Sequence, residues 1–172
     1  MRVFDERSGE CLIFTFKEGL LSAVAHDLQL RVGRFRVEVA EESASVTAEF
    51  DPSSLSVVCA MKQGRPAPGA LSPSDVRTIE KNIRDEVLES RKHASIRFVS
   101  TRATSERVEG RLSLHGRDRE IALAVESSDA AKRCEVTLHQ PDFGIRPYSA
   151  MLGALKVNPD VKIVITLAWS SP

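Results

Sequence analysis

The residues able to do chemistry are few and scattered. The 172-residue chain has four histidines and three cysteines. His26, His93, His115 and His139 are isolated from one another, and no H-E-x-x-H, G-x-S-x-G, Walker loop or G-x-G-x-x-G accompanies them. The dipeptide His26-Asp27 suggests a metal phosphohydrolase, but that chemistry wants further histidine and aspartate ligands on successive helices. This chain offers mostly strands. The local reading is that Asp27 ends a helical turn and His26 bonds nearby backbone. A small hydrolase-like or metal-dependent enzyme would have to gather His26, Asp27 and His115 at one mouth of the fold. Without that, the residues read as a non-enzyme with no cofactor and no metal.

Cys11, Cys59 and Cys134 are odd in number, widely spaced and form no C-x-x-C pair. Cys11 and Cys134 fall in strand-like apolar segments and read as small buried hydrophobes. Met1 to Cys11 carries mixed charges where a secretory signal would carry a long apolar run, so the expected compartment is cytoplasmic.

Composition narrows the partners. With 24 Lys+Arg against 24 Asp+Glu, there is no net charge to condense on a phosphate backbone, so no nucleic-acid partner is expected. No apolar run approaches the roughly 18 residues of a transmembrane helix. At 42% hydrophobic and 28% charged residues, the chain reads as globular, with one domain over residues 1–172.

The elements that must position these side chains are strands. Leu12, Phe14 and Phe16 alternate with Ile13, Thr15 and Lys17. Val46, Ala48 and Phe50 alternate with Ser45, Thr47 and Glu49. The same period of two recurs at Val108–Leu114, Ile121–Val125 and Cys134–Leu138. Such repetition predicts an antiparallel sandwich or barrel. Val161 to Trp169 is apolar on both faces, so its outer face needs cover from another element or a partner, and a homodimer is one way to supply it. Leu28, Leu30 and Val32 are out of phase with Phe35, Val37 and Val39 across Gly33. A β-bulge at Gly33 explains the slip, and a simple turn there is the alternative.

One amphipathic helix is predicted over about 73–91. Ser72 is its N-cap, Pro73 its first residue, and Val76, Ile79, Ile83, Val87 and Leu88 share a stripe. It should pack over an opening or edge of the sheet and end near Arg91-Lys92-His93. Short helices are also expected around Leu20–His26 and Ser149–Leu155.

Three pieces are specific in combination: Ala25-His26-Asp27-Leu28 leading to Gly33-Arg34-Phe35, the run Gly110-Arg111-Leu112-Ser113-Leu114-His115-Gly116-Arg117, and Asp142-Phe143-Gly144-Ile145. Phe50-Asp51 before Pro52-Ser53-Ser54, and Ser90 through His93 before Ile96-Arg97-Phe98, follow the same order. With these features the sequence resembles the YceI-like family of lipocalin-like barrels over roughly residues 11 to 169. It lacks the family's usual Trp and Ile-Asp opening, having Glu10-Cys11-Leu12-Ile13-Phe14 instead.

The resemblance implies an all-β fold with an added helix: an extended antiparallel β-barrel of about eight strands. It also implies an apolar channel for a polyisoprenoid or fatty acyl chain, held for carriage, storage or sensing. The expected channel residues are Phe14, Phe16, Leu28, Leu30, Phe35, Phe50, Phe98, Leu112, Leu114 and Leu123. The alternative is a structural, dimerising protein whose barrel is filled by those same side chains. His26, Asp27, Gly33, His115, Gly116, Asp142, Phe143 and Gly144 are read as architectural, with Gly116 at positive φ, His115 anchoring that turn, and Phe143 packed inward.

Overall fold

The period-two segments pair in chain order. In the computed structural model, which describes residues 1–18 and 26–169, eight long strands are found among the described residues. β1 runs through Arg2–Asp5 and Gly9–Thr15, β2 through Asp27–Val32 and Phe35–Ala40, and β3 through Ser45–Phe50 and Leu55–Lys62. β4 is Ile96–Ala103, β5 Arg107–Leu114, β6 Arg117–Ser127, β7 Ala131–His139 and β8 Asp160–Ala168. Each strand pairs antiparallel with the next. β8 then pairs back onto β1, with Ile163 opposite Ile13. The ladder therefore runs round an interior, as an extended antiparallel barrel of the lipocalin type.

The phase slip in β2 has a structural counterpart. Leu28, Leu30, Val32, Phe35 and Val37 are all buried, although the first three and the last two are out of phase. Gly33-Arg34 is a two-residue bend between the halves of β2. The Gly33 N–H donates to the Ser54 carbonyl at 3.1 Å. The Arg34 N–H donates to Ser54 Oγ at 2.9 Å. At the same level β3 is broken by the 3-10 turn Pro52–Ser54, capped by Asp51. The two strands therefore turn one corner together. The register shift of a bulge lies elsewhere, between Gln29 and Leu30, so Gly33 is a bend and not the bulge.

Among the described residues the ring is weak along the second half of β3. Ser45–Phe50 of β3 pairs with β4, but Leu55–Lys62 pairs outward only with the short strand Arg65–Ala67. The helix lies against this seam. It starts with a capping box between Ser72 and Asp75, runs as α1 (Pro73–Asn82) and ends in a π turn, Ile83–Val87. It stops short of Arg91-Lys92-His93 because Glu89 takes a φ of 44°, and its carbonyl then accepts the N–H groups of Lys92 and His93.

The expected helix at Ser149–Leu155 is absent. Met151 and Leu152 both have positive φ within a 3-10 turn, and the flanking residues form strands instead. Leu155–Val157 pairs with Ser149–Ala150 on one side and Lys17–Glu18 on the other. The expected helix at Leu20–His26 lies, except for His26, outside the described residues.

Two apolar clusters form opposing walls. One joins Phe4, Cys11, Val32, Phe35, Val37, Phe50 and Leu167 from β1, β2, β3 and β8. The other joins Phe98, Val108 and Leu112 of β4 and β5 to Phe143 and Ile145. Ala48 packs against both. On the outside of β8, Val164 is already buried within one chain, between Leu12 of β1 and Glu135 of β7. A partner is not needed to cover it.

Candidate functional site: an apolar lumen

Between the walls lies a cavity of about 910 Å³ to which all eight strands contribute. Of the expected channel residues, Leu28, Leu30, Phe50, Phe98, Leu112, Leu114 and Leu123 line it. Three do not. In β1 the lumen face is Cys11, Ile13 and Thr15, so Phe14 and Phe16 belong to the other phase. Phe14 sits outside, opposite Lys162 in the ladder, with the Lys162 ammonium 5.5 Å from its ring centroid. Phe16 is 40% exposed. Because β1 is apolar on both faces, alternation alone could not choose between them. Phe35 is buried but stands off the cavity, stacked at 5.9 Å on Phe50, which does face it.

The lumen's polar groups gather at its two ends. β2 runs from Asp27 at one end to Ala40 at the other. His26, Asp75, Asn82 and Tyr148 line the first end, where Asn82 Nδ2 donates to the Tyr148 hydroxyl at 2.9 Å. Glu41, Lys132, Arg133 and Trp169 line the second. Trp169 is held there by a stack on Phe4 at 5.3 Å and by Lys132 and Arg2 at 4.5 and 4.6 Å from its ring. Between the ends the wall is mostly apolar, with Asp51 at the β2–β3 corner the charged exception among the described residues. Burial pushes the Cys11 thiol up to about 12 and the Cys134 thiol up to about 11. Both remain neutral and act as apolar wall.

The motif residues are mostly structural. His115 and Gly116 form the two-residue turn between β5 and β6, with φ of 52° and 74°, which is the signature of a type I′ hairpin. His115 Nε2 lies 3.0 Å from Glu89 Oε2, so the turn is tied to the end of the helix. Phe143 is buried and faces the lumen. Gly144 closes its 3-10 turn at a φ of 70°, against the Arg117 guanidinium, while Asp142 is exposed. Asp27 opens β2, and the helical turn it was expected to end lies outside the described residues. Asp27 Oδ1 accepts the Lys17 N–H at 2.8 Å.

The structure does not assemble the His26, Asp27 and His115 trio. His26 lies near Asp75 at the start of the helix, and His115 lies beside Glu89, beyond its end. It assembles a different group. Glu89, His93 and His115 bring one ligand atom each within 4.8 Å of one another. Partial burial and the neighbouring His115 hold the His93 imidazole below its ordinary pKa. Sequence reading missed this cluster because Glu89 and His93 are joined to His115 only through the hairpin turn.

An antiparallel barrel with an apolar lumen and a helix along its seam is a fold of the lipocalin type. Within that class the chain belongs to the YceI-like family, whose domain matches residues 11–169. The family is generally one of binding domains and not of known enzymes. Solved structures share the fold at low identity. Burkholderia cenocepacia BcnA is 13% identical with a TM-score of 0.61, over 94% of this chain and 96% of that one. A polyisoprenoid binding domain from Saccharophagus degradans, implicated in plant cell wall breakdown, is 12% identical with a TM-score of 0.60, over 95% and 94%. The Campylobacter jejuni YCEI protein is 11% identical with a TM-score of 0.52, over 79% of each chain. A search of curated proteins finds no match.

Proposed function

We propose that the protein binds one elongated apolar molecule, an isoprenoid or a fatty acyl chain, inside the barrel, and acts as a binding protein without catalysis. The observation that carries this reading is the apolar lumen of about 910 Å³, near the upper end of ordinary ligand pockets. Membership of the YceI-like family and the likeness to a polyisoprenoid binding domain support it.

The energetics are adequate. About fifteen buried methylenes contribute roughly 12 kcal/mol, and lost translational and rotational freedom costs at least about 4. The remainder of about 8 kcal/mol corresponds to a micromolar Kd.

Native mass spectrometry and organic extraction of purified protein test the reading, together with titration of farnesol and palmitate. The expected result is one lipid per chain. Ala48→Trp places an indole where the two walls meet. It should abolish binding while circular dichroism stays β-rich. If wild type neither carries nor binds such lipids, or if the tryptophan variant binds them equally well, the reading is wrong.

A further inference from the structure

We propose that Glu89, His93 and His115 bind one divalent transition-metal ion of the zinc class, which staples the end of the helix to the β5–β6 hairpin. The proposal is independent of what the lumen holds.

The geometry comes from three local features. Glu89 leaves the helix in the left-handed region at φ 44°, and its carbonyl accepts the His93 N–H at 3.0 Å. This wraps the chain so that the Glu89 and His93 side chains converge. The type I′ turn, with His115 at φ 52°, then aims His115 at the pair.

The three ligand atoms lie within 4.8 Å of one another, and His115 Nε2 and Glu89 Oε2 are only 3.0 Å apart. A tetrahedral zinc ion with ligands at about 2.0–2.2 Å needs its ligand atoms roughly 3.3–3.5 Å apart. Side-chain adjustment alone supplies the difference.

A purely structural role accounts for His115 and Glu89, whose hydrogen bond ties the turn to the helix. It does not account for His93. That ring makes no hydrogen bond among the described residues, yet its centroid lies 4.3 Å from the His115 centroid, tilted by 45°. Two half-buried imidazoles meeting beside a carboxylate is what a borderline divalent cation recognises. Lys92 is the nearby cation that opposes the ion's charge, and Glu89 offsets it.

The test uses untagged, chelator-stripped protein. Zinc is titrated by calorimetry, cobalt(II) is followed by its visible d–d absorption, and thermal unfolding is recorded with and without zinc. The expected results are one equivalent bound, a tetrahedral cobalt spectrum and a higher Tm with zinc. His93→Gln should weaken zinc binding by at least about tenfold and remove the Tm shift. It should not lower the metal-free Tm, because the ring has no hydrogen bond to lose. His139→Gln removes the exposed His139–Asp160 pair and should leave binding unchanged. Absence of saturable binding by wild type overturns the proposal, as does unchanged affinity in the His93 variant or loss of binding in the His139 variant.

Discussion

The Glu80 carboxylate accepts the backbone N–H of Val57 at 2.9 Å. A helix side chain thus completes the hydrogen bonding of a strand exactly where β3 has no β4 alongside it. The contact explains why α1 lies across the seam. An amide edge with no ladder partner must find an acceptor elsewhere or stay solvated. Glu80→Ala should destabilise the protein by about 1–2 kcal/mol, and Glu80→Gln, which keeps an acceptor oxygen, by less. Urea unfolding measures both. Equal stability of wild type and the alanine variant would show that the seam needs no helix.

Acid should weaken the corner next to that seam. Partial burial raises the Asp51 pKa, but hydrogen bonds from Ser53 and Arg34 outweigh it and leave the carboxyl below its ordinary value. The bonds are Ser53 N–H at 2.8 Å, Ser53 Oγ at 2.6 Å and Arg34 Nη2 at 2.7 Å. A depressed folded pKa contributes stability above the unfolded carboxylate value of about 3.9, and that stability is lost as pH falls through the folded value. Asp51→Asn should therefore be less stable than wild type at neutral pH, with the gap closing below about pH 4. Tm measured against pH for the two proteins checks the direction.

Gly110 tests the barrel wall opposite. A Cβ at this position would stand 2.6 Å from Ser100 Cα and closer still to the Val99 carbonyl oxygen, where β5 shifts register against β4. The β4 backbone cannot yield as a flexible side-chain end would, and the packed Phe98 ring stands 2.7 Å away as well. Gly110→Ala should cost about 2–3 kcal/mol. Gly116→Ala meets only the His93 ring, and its φ of 74° should cost about 1 kcal/mol. Denaturant midpoints rank the two. The reverse order would mean that the β4–β5 ladder relaxes more readily than the turn.

The fold was legible wherever a strand had one wet face. Val46, Ala48 and Phe50, and likewise Val108, Leu112 and Leu114, face the lumen as their alternation indicates. Legibility failed where both faces are apolar. Phe14 and Ile13 are equally hydrophobic to a pattern, and only the pairing of Phe14 with Lys162 shows which is outside. The phase slip at Gly33 was visible, but the corner it makes depends on Ser54, twenty-one residues away. The Glu89, His93 and His115 cluster was hidden for a related reason. Its members converge through two left-handed backbone residues, and neither Glu nor His announces that conformation in sequence.

The lumen's accessibility can be tested through its thiols. Cys11 and Cys134 both face the cavity, with Ile165 of β8 opposite each of them in the ladder. With pKa values pushed up to about 12 and about 11 by burial, each is almost entirely thiol at pH 8. Cys59 does not line the lumen and contacts Gln29 with its Sγ 3.9 Å from Oε1. Iodoacetamide at pH 8 should therefore modify Cys59 first and leave Cys11 and Cys134 untouched until the barrel unfolds. Intact-mass spectrometry should show a single adduct under native conditions and three in denaturant. Labelling of Cys11 as fast as Cys59 would mean that water and reagent enter the barrel freely, which an apolar chain seated there would prevent.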